Sequence, residues 1–137
     1  MRVFFDSSAF AKRYIEEKGS KEVLAWCDQA TELGLSVIAI PELIAAFCRL
    51  RRERALSDSQ YERLKGELSA DIGDALICDT SPQVIASAIR ALEKHALRGM
   101  DAIHVGAAVA SAADVFVSAD KRQCAAARAS GLRVSAV

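Results

Sequence analysis

The chain is poor in residues that bend, crosslink or charge it in one direction. Only 2 of its 137 residues are proline and 7 are glycine, which excludes collagen-like, low-complexity and disordered classes. The 4 cysteines, Cys27, Cys48, Cys78 and Cys124, contain no C-x-x-C pair. That spacing excludes the common zinc and redox motifs and leaves them as small, reduced core residues. Lys plus Arg and Asp plus Glu balance at 18 each, so no bulk positive field gathers a polyanion, and any nucleic acid must be held by a local patch. Aromatic residues make up 6%, leaving few platforms on which bases could stack. No apolar run is long enough to cross a bilayer, and the first, VFF, is cut by Asp6 before it reaches the length of a secretory leader. The expectation is a cytoplasmic protein without a membrane partner.

What is present is 52% hydrophobic residues in short β-rich runs that alternate with longer helical stretches. Strands are predicted at Arg2–Phe5, Leu35–Ile38, Ala75–Cys78, Val115–Val117 and Leu132–Val134. Helices are predicted over Ser7–Glu17, from Gly19-Ser20 to Ala30, Pro41–Arg54, from the capping box Ser57-x-x-Gln60 to Ala70, from Ser81-Pro82 to Leu97, Asp101–Ala112 after a break at Gly99, and Asp120–Ala129. Parallel strands need crossovers that lie on the sheet faces, so this alternation predicts a single α/β domain over residues 1–137.

Within VIAIPELIAAF the only charged residue is Glu42. An ionised carboxylate among apolar neighbours is costly unless it points outward or is paired. Pro41 suits a first helical turn and Leu43, Ala46, Phe47 and Leu50 continue the buried face, so Glu42 stands beside that face where the helix dipole favours a negative charge. Asp6 directly follows the first strand, and Asp120 follows VFVS after one alanine. In a parallel sheet both belong to the carboxyl edge, where functional crevices form, and Glu42 begins its helix from the same edge. Asp101 opens the helix of GMDAIHVGAA, whose edge the strand count leaves open.

Asp6, Asp101 and Asp120 also suit helix caps, and Asp120-x-x-Gln123 resembles a capping box. Convergence is what favours function. Carboxylates gathered at one edge repel one another and are stabilised chiefly by a hard cation, for which all-oxygen ligands point to magnesium or manganese.

VFFDSSAF, IPELIAAF, GMDAIHVGAA and FVSADKR, in that order, resemble the four acidic motifs of PIN-domain nucleases, and the chain looks most like the VapC toxins of bacterial toxin–antitoxin pairs. The resemblance implies a PIN-like three-layer sandwich around a mostly parallel sheet, with Asp6, Glu42, Asp101 and Asp120 as the acidic centre and Asp101 on the same edge as the others. It implies Mg2+ (Mn2+ as a substitute) held by Asp6 and Asp101, with Asp120 bound directly or through water, hydrolysis of RNA to 3′-hydroxyl and 5′-phosphate ends, and Glu42 orienting or deprotonating water or helping to hold a second ion. It also implies a homodimer and a cognate antitoxin, with Phe10, Tyr14 and Trp26 as candidates for the antitoxin groove. Ser7 or Ser8 is expected to steady Asp6 or a bound water. Arg49 lies seven residues, roughly 10 Å along the helix, from Glu42, and together with Ser8 and Lys121 is a candidate substrate contact; Arg52 and Arg122 are weaker ones. His104 reads as a packed helix residue, and Asp71, Asp74, Asp79 and Asp114 as loop and cap residues. Two other readings are a magnesium-binding receiver-like signalling domain, disfavoured by a single acid in FFDSS, and a catalytically silent PIN-fold binding module.

Overall fold

The computed structural model describes residues 1–137. Val3, Phe4 and Phe5 of β1 (Arg2–Phe5) are wholly buried, with Val3 and Phe5 facing one layer and Phe4 the other. This is the signature of a central strand covered on both faces. Around it stand β2 (Glu32–Ser36), β3 (Leu76–Cys78), β4 (Val115–Ser118) and β5 (Arg133–Ala136), all parallel, in the order β3-β2-β1-β4-β5.

Helices α1 (Ser7–Phe10), α2 (Ser20–Gln29), α3 (Ala39–Arg52) and α4 (Asp58–Asp74) cover one face of the sheet, and α5 (Pro82–Lys94), α6 (Gly99–Ala110) and α7 (Lys121–Ala129) cover the other. The first face is filled by large side chains. Rings of Phe5, Phe10, Tyr14 and Phe47 follow one another at centroid separations of 5.4, 5.5 and 5.6 Å, each buried Phe contributing about 1.5–3 kcal/mol by leaving water. The second face is built close. A Cβ on Gly106 of α6 would meet the Val84 carbonyl oxygen of α5 at 2.6 Å and the Ala88 nitrogen at 3.0 Å, so only glycine admits the two backbones to that separation.

Several boundaries differ from expectation. The first helix gives way to a 3-10 turn at Ala11–Arg13, because the chain must reverse into α2: Gly19 adopts a left-handed φ of 93° and the Ser20 hydroxyl accepts from the Glu17 N–H at 2.9 Å. Strand β2 begins earlier, at Glu32, which lies opposite Arg2 in the register and forms an ion pair with it. Helix α3 starts at Ala39, and Pro41 is tolerated within its first turn, where N–H groups have no helical partner. Gly99 begins α6 rather than breaking a longer helix, with Arg98 as its extended N-cap, so Asp101 is its third residue. The sheet order also rules out the receiver-like alternative, whose strands run 2-1-3-4-5.

Candidate active site at the carboxyl edge

The chain builds β1, β2 and β3 outward on one side and then crosses to β4 on the other, so the switch in topology falls between β1 and β4. Crevices beyond the strand ends form at such a point. A cleft of about 640 Å³ opens there, and Asp6, Glu42, Asp101 and Asp120 all line it. Asp6 follows β1, Asp120 follows β4, Glu42 comes from the first turn of α3 and Asp101 from the first turn of α6.

Asp6 is wholly buried and N-caps α1. Its Oδ1 accepts from the Ala9 N–H at 2.9 Å and the Ser8 hydroxyl at 2.9 Å; its Oδ2 accepts from Ser8 at 2.7 Å and Ser118 at 2.8 Å. Burial pushes its pKa up, and these hydrogen bonds offset only part of that. Ser118 also accepts from the Asp120 N–H at 3.0 Å, linking the two acids. Asp120 caps α7, accepting from the N–H groups of Arg122 at 2.8 Å and Gln123 at 3.2 Å. The capping-box expectation holds only in part there. The buried Gln123 side chain turns away and donates from Nε2 to Asp101 Oδ1 at 3.2 Å. Burial raises the Asp101 pKa first, and the like charge of Asp120 raises it further.

Glu42 behaves differently. Its Oε1 lies 2.6 Å from His104 Nε2 and accepts from the Ser7 hydroxyl at 2.7 Å. The His104 hydrogen bond lowers the Glu42 pKa against the cost of burial, with Ser7 adding to it. His104 is packed in α6, as expected, and is also a partner of the cleft. Ser8 spends its hydroxyl on Asp6 and accepts from the Ala119 N–H at 3.2 Å, so it holds an acid in place and is not free for substrate. Arg49 lines the cleft; Lys121 lines an adjoining depression with Arg98, Arg122, Asp101 and Asp120. Phe10 is wholly buried in the core and presents no groove surface, while Tyr14 and Trp26 are half-buried against the same core. Sequence reasoning missed Ser118 and Arg98, of which only Arg98, next to the GMD motif, carried a signal, and read Gln123 as a capping-box residue and not as a partner of Asp101.

Asp6, Asp101 and Asp120 enter no ion pair within the chain. The Gln123 Oε1 beside them is buried without a hydrogen-bond partner. An all-oxygen donor set without an ion pair is of the chemistry that suits a hard divalent cation. No three of the chain's acidic, His or Cys side chains stand close enough together to hold an ion as they lie, and an ion bound by Asp6 would compete with Ser8 and Ser118 for its oxygens.

Residues 3–129 match the PIN domain. The chain is 34% identical over 138 residues to a protein named Ribonuclease VapC45 from Mycobacterium tuberculosis, a match covering 97% of this chain and 94% of that one. The fold superposes on VapBC2 from Rickettsia felis bound to a DNA fragment from its promoter, with a TM-score of 0.71 at 12% identity, covering 100% and 99% of the two chains. It also superposes on VapC20 of Mycobacterium tuberculosis, described as a Sarcin-Ricin loop cleaving toxin, with a TM-score of 0.66 at 12% identity, covering 90% and 94%. The chain belongs to the PIN-domain family and, within it, to the VapC type.

Proposed function

We propose that this VapC-type PIN domain is a magnesium-dependent endoribonuclease, with Mn2+ as a substitute, and the toxin of a toxin–antitoxin pair. The observation that carries the reading is the convergence of four acids on one cleft at the topological switch, none of them ion-paired to a Lys or Arg of the chain. Asp6, Asp101 and Asp120 would hold the ion, which when bound supplies charge neutralisation at the phosphate and acidification of water. Glu42 orients the attacking water and takes its proton. The water oxygen bonds to phosphorus, the P–O3′ bond breaks and the 3′-oxygen acquires a proton from solvent, leaving 3′-hydroxyl and 5′-phosphate ends. Arg49 and Arg98, along the cleft, and Lys121, beside it, are placed to meet flanking phosphates.

Two partner surfaces accompany this reading. Ile85, Ile89 and Leu92 recur along α5 and are 39–49% exposed, and together with Met100 they line a trough that reaches Glu42 and Asp101. That strip supports a homodimer in which a second copy covers it. On the opposite layer Leu24, 43% exposed, borders a depression with Arg13, Tyr14, Glu67 and Ala70, which supports an antitoxin that lays an amphipathic segment there and offers an Arg or Lys to the acids.

The test is cleavage of a mixed, labelled RNA pool by the protein and by Asp6→Asn and Asp101→Asn, in magnesium, manganese and chelator, with circular dichroism confirming that each variant folds. Metal-dependent cutting lost in both variants is expected. Three folded but equally inert proteins, or cutting that persists unchanged in chelator, would return the acids to the role of helix caps and leave a silent binding module.

A further inference from the structure

We infer that His104, together with Ser7, is the positioning residue of Glu42: the two donors pin Oε1 of the carboxylate and leave Oε2 as the atom that meets the attacking water. The consequence for catalysis rests on the ribonuclease reading above; the geometry does not.

Glu42 is reached by only two hydrogen-bond donors, and both go to the same oxygen. His104 Nε2 stands 2.6 Å from Oε1 and the Ser7 hydroxyl 2.7 Å from it, while Oε2 makes no hydrogen bond. Ser7 Oγ and His104 Nε2 are themselves 3.3 Å apart, so the three groups form one compact cluster. An ionised carboxylate only accepts, so Nε2 carries a proton and donates it.

The anchors differ in rigidity from what they hold. His104 is 2% exposed inside α6, and Ser7 is the first residue of α1, fixed by the Asp6 cap. The Glu42 side chain is 37% exposed at the mouth of the cleft and would otherwise sample several rotamers. Pinning one oxygen of such a side chain to two fixed elements is the usual way a reactive group is oriented by its outer neighbours.

His104 is a holder and not a relay. Its other ring nitrogen, Nδ1, is buried and has no hydrogen-bond partner. Nε2, already bearing the proton it donates to Glu42, has no lone pair to take another, and no group stands at Nδ1 to exchange a proton through the ring. This distinguishes the arrangement from an acid–imidazole–nucleophile series, in which both ring nitrogens are engaged. It also gives the His a reason to stand on a helix face whose other buried members, Val105, Ala107 and Ala108, are small and apolar.

Two variants separate positioning from packing. His104→Leu fills the space without a donor; His104→Gln carries an amide N–H that reaches about where Nε2 lies. With RNA and magnesium, His104→Leu is expected to lower kcat about ten- to a hundredfold with KM within about twofold, while His104→Gln restores most of the loss. In the metal-free protein, 15N NMR of the histidine ring is expected to show a proton-bearing Nε2 and a bare Nδ1. Wild-type kcat in His104→Leu would overturn the inference, as would equal losses in the two variants accompanied by equal falls in Tm, or a proton found on Nδ1 with Nε2 bare. If the wild-type protein cuts no RNA, the ribonuclease reading falls, and the ring spectrum still decides whether His104 donates to Glu42.

Discussion

Asp71 and Asp101 are both half-buried aspartates on helices, and burial pushes the pKa of each upward. There the likeness ends. Asp71 of α4 accepts from Arg13 Nε at 2.8 Å, Arg13 Nη2 at 3.1 Å and the Tyr14 hydroxyl at 2.5 Å, and these bonds outweigh burial and hold its pKa below the ordinary value. Asp101 receives one amide bond from Gln123 and faces the charge of Asp120, so its pKa stays raised. One carboxylate is completed by the chain and clamps the 3-10 turn to α4. The other forms no ion pair within the chain. The degree of burial does not tell the two apart; the partner does.

The comparison is broken most sharply by neutralising each acid in turn. Asp101→Asn is expected to lower RNA cleavage by about a hundredfold to a thousandfold, while slightly raising the stability of the metal-free protein, by less than about 0.5 kcal/mol after solvent screening, as the cost of burying the charge and the repulsion from Asp120 are relieved. Asp71→Asn is expected to leave cleavage intact and to destabilise the fold by about 1–2 kcal/mol, because the partly buried Arg13 loses its bidentate partner in a site still open to solvent. Rates from a labelled RNA and Tm values from calorimetry check both. If Asp71→Asn abolishes cleavage, or Asp101→Asn unfolds the protein, the division into completed and waiting acids is wrong.

The pH dependence of the Asp71 pair is smaller and has a definite sign. A carboxyl whose folded pKa is depressed contributes stability above its unfolded pKa, and that contribution disappears as pH falls through the folded value. Arg13 stays charged throughout, and the Tyr14 hydroxyl, its pKa raised by burial and by Asp71, stays protonated. The Tm gap between the wild-type protein and Asp71→Asn is therefore expected to be constant from pH 7 to about 5 and to close as pH drops below the ordinary carboxylate value of 3.8. A gap that widened in acid would contradict the pairing.

The same contrast explains what could be read from the chain. Asp6, Glu42, Asp101 and Asp120 stood out because each adjoins a recognisable strand end or helix start, which local sequence encodes. Their partners did not stand out. Gln123 has the spacing of a capping box, yet its amide reaches Asp101, 22 residues away. Ser118 is the last residue of an ordinary apolar strand but bonds Asp6 across 112 residues. Asp71 read as a loop or cap residue because its partners lie 58 and 57 residues earlier. The alternation of strands and helices called for an α/β sandwich, but the order β3-β2-β1-β4-β5 depends on which way each crossover turns, which no local pattern records.

Cations divide as the acids do, and this gives the smallest of the expected effects. Arg13 is committed to Asp71, whereas Arg49, which lines the acidic cleft, pairs with no carboxylate. An arginine held near four acids without ion-pairing to any of them is available to a phosphate, for which its planar fork is suited. Arg49→Ala is expected to raise KM for RNA about threefold and to reduce the slope of log affinity against log salt by about one, with kcat and Tm unchanged. Arg13→Ala should do the reverse, lowering Tm and leaving the salt slope alone. The salt slope is the discriminating quantity, since it counts phosphates neutralised and is indifferent to the fold's internal pairs; an unchanged slope in Arg49→Ala would place the RNA backbone elsewhere, with Lys121 and Arg98 beside Asp101 the next positions to test.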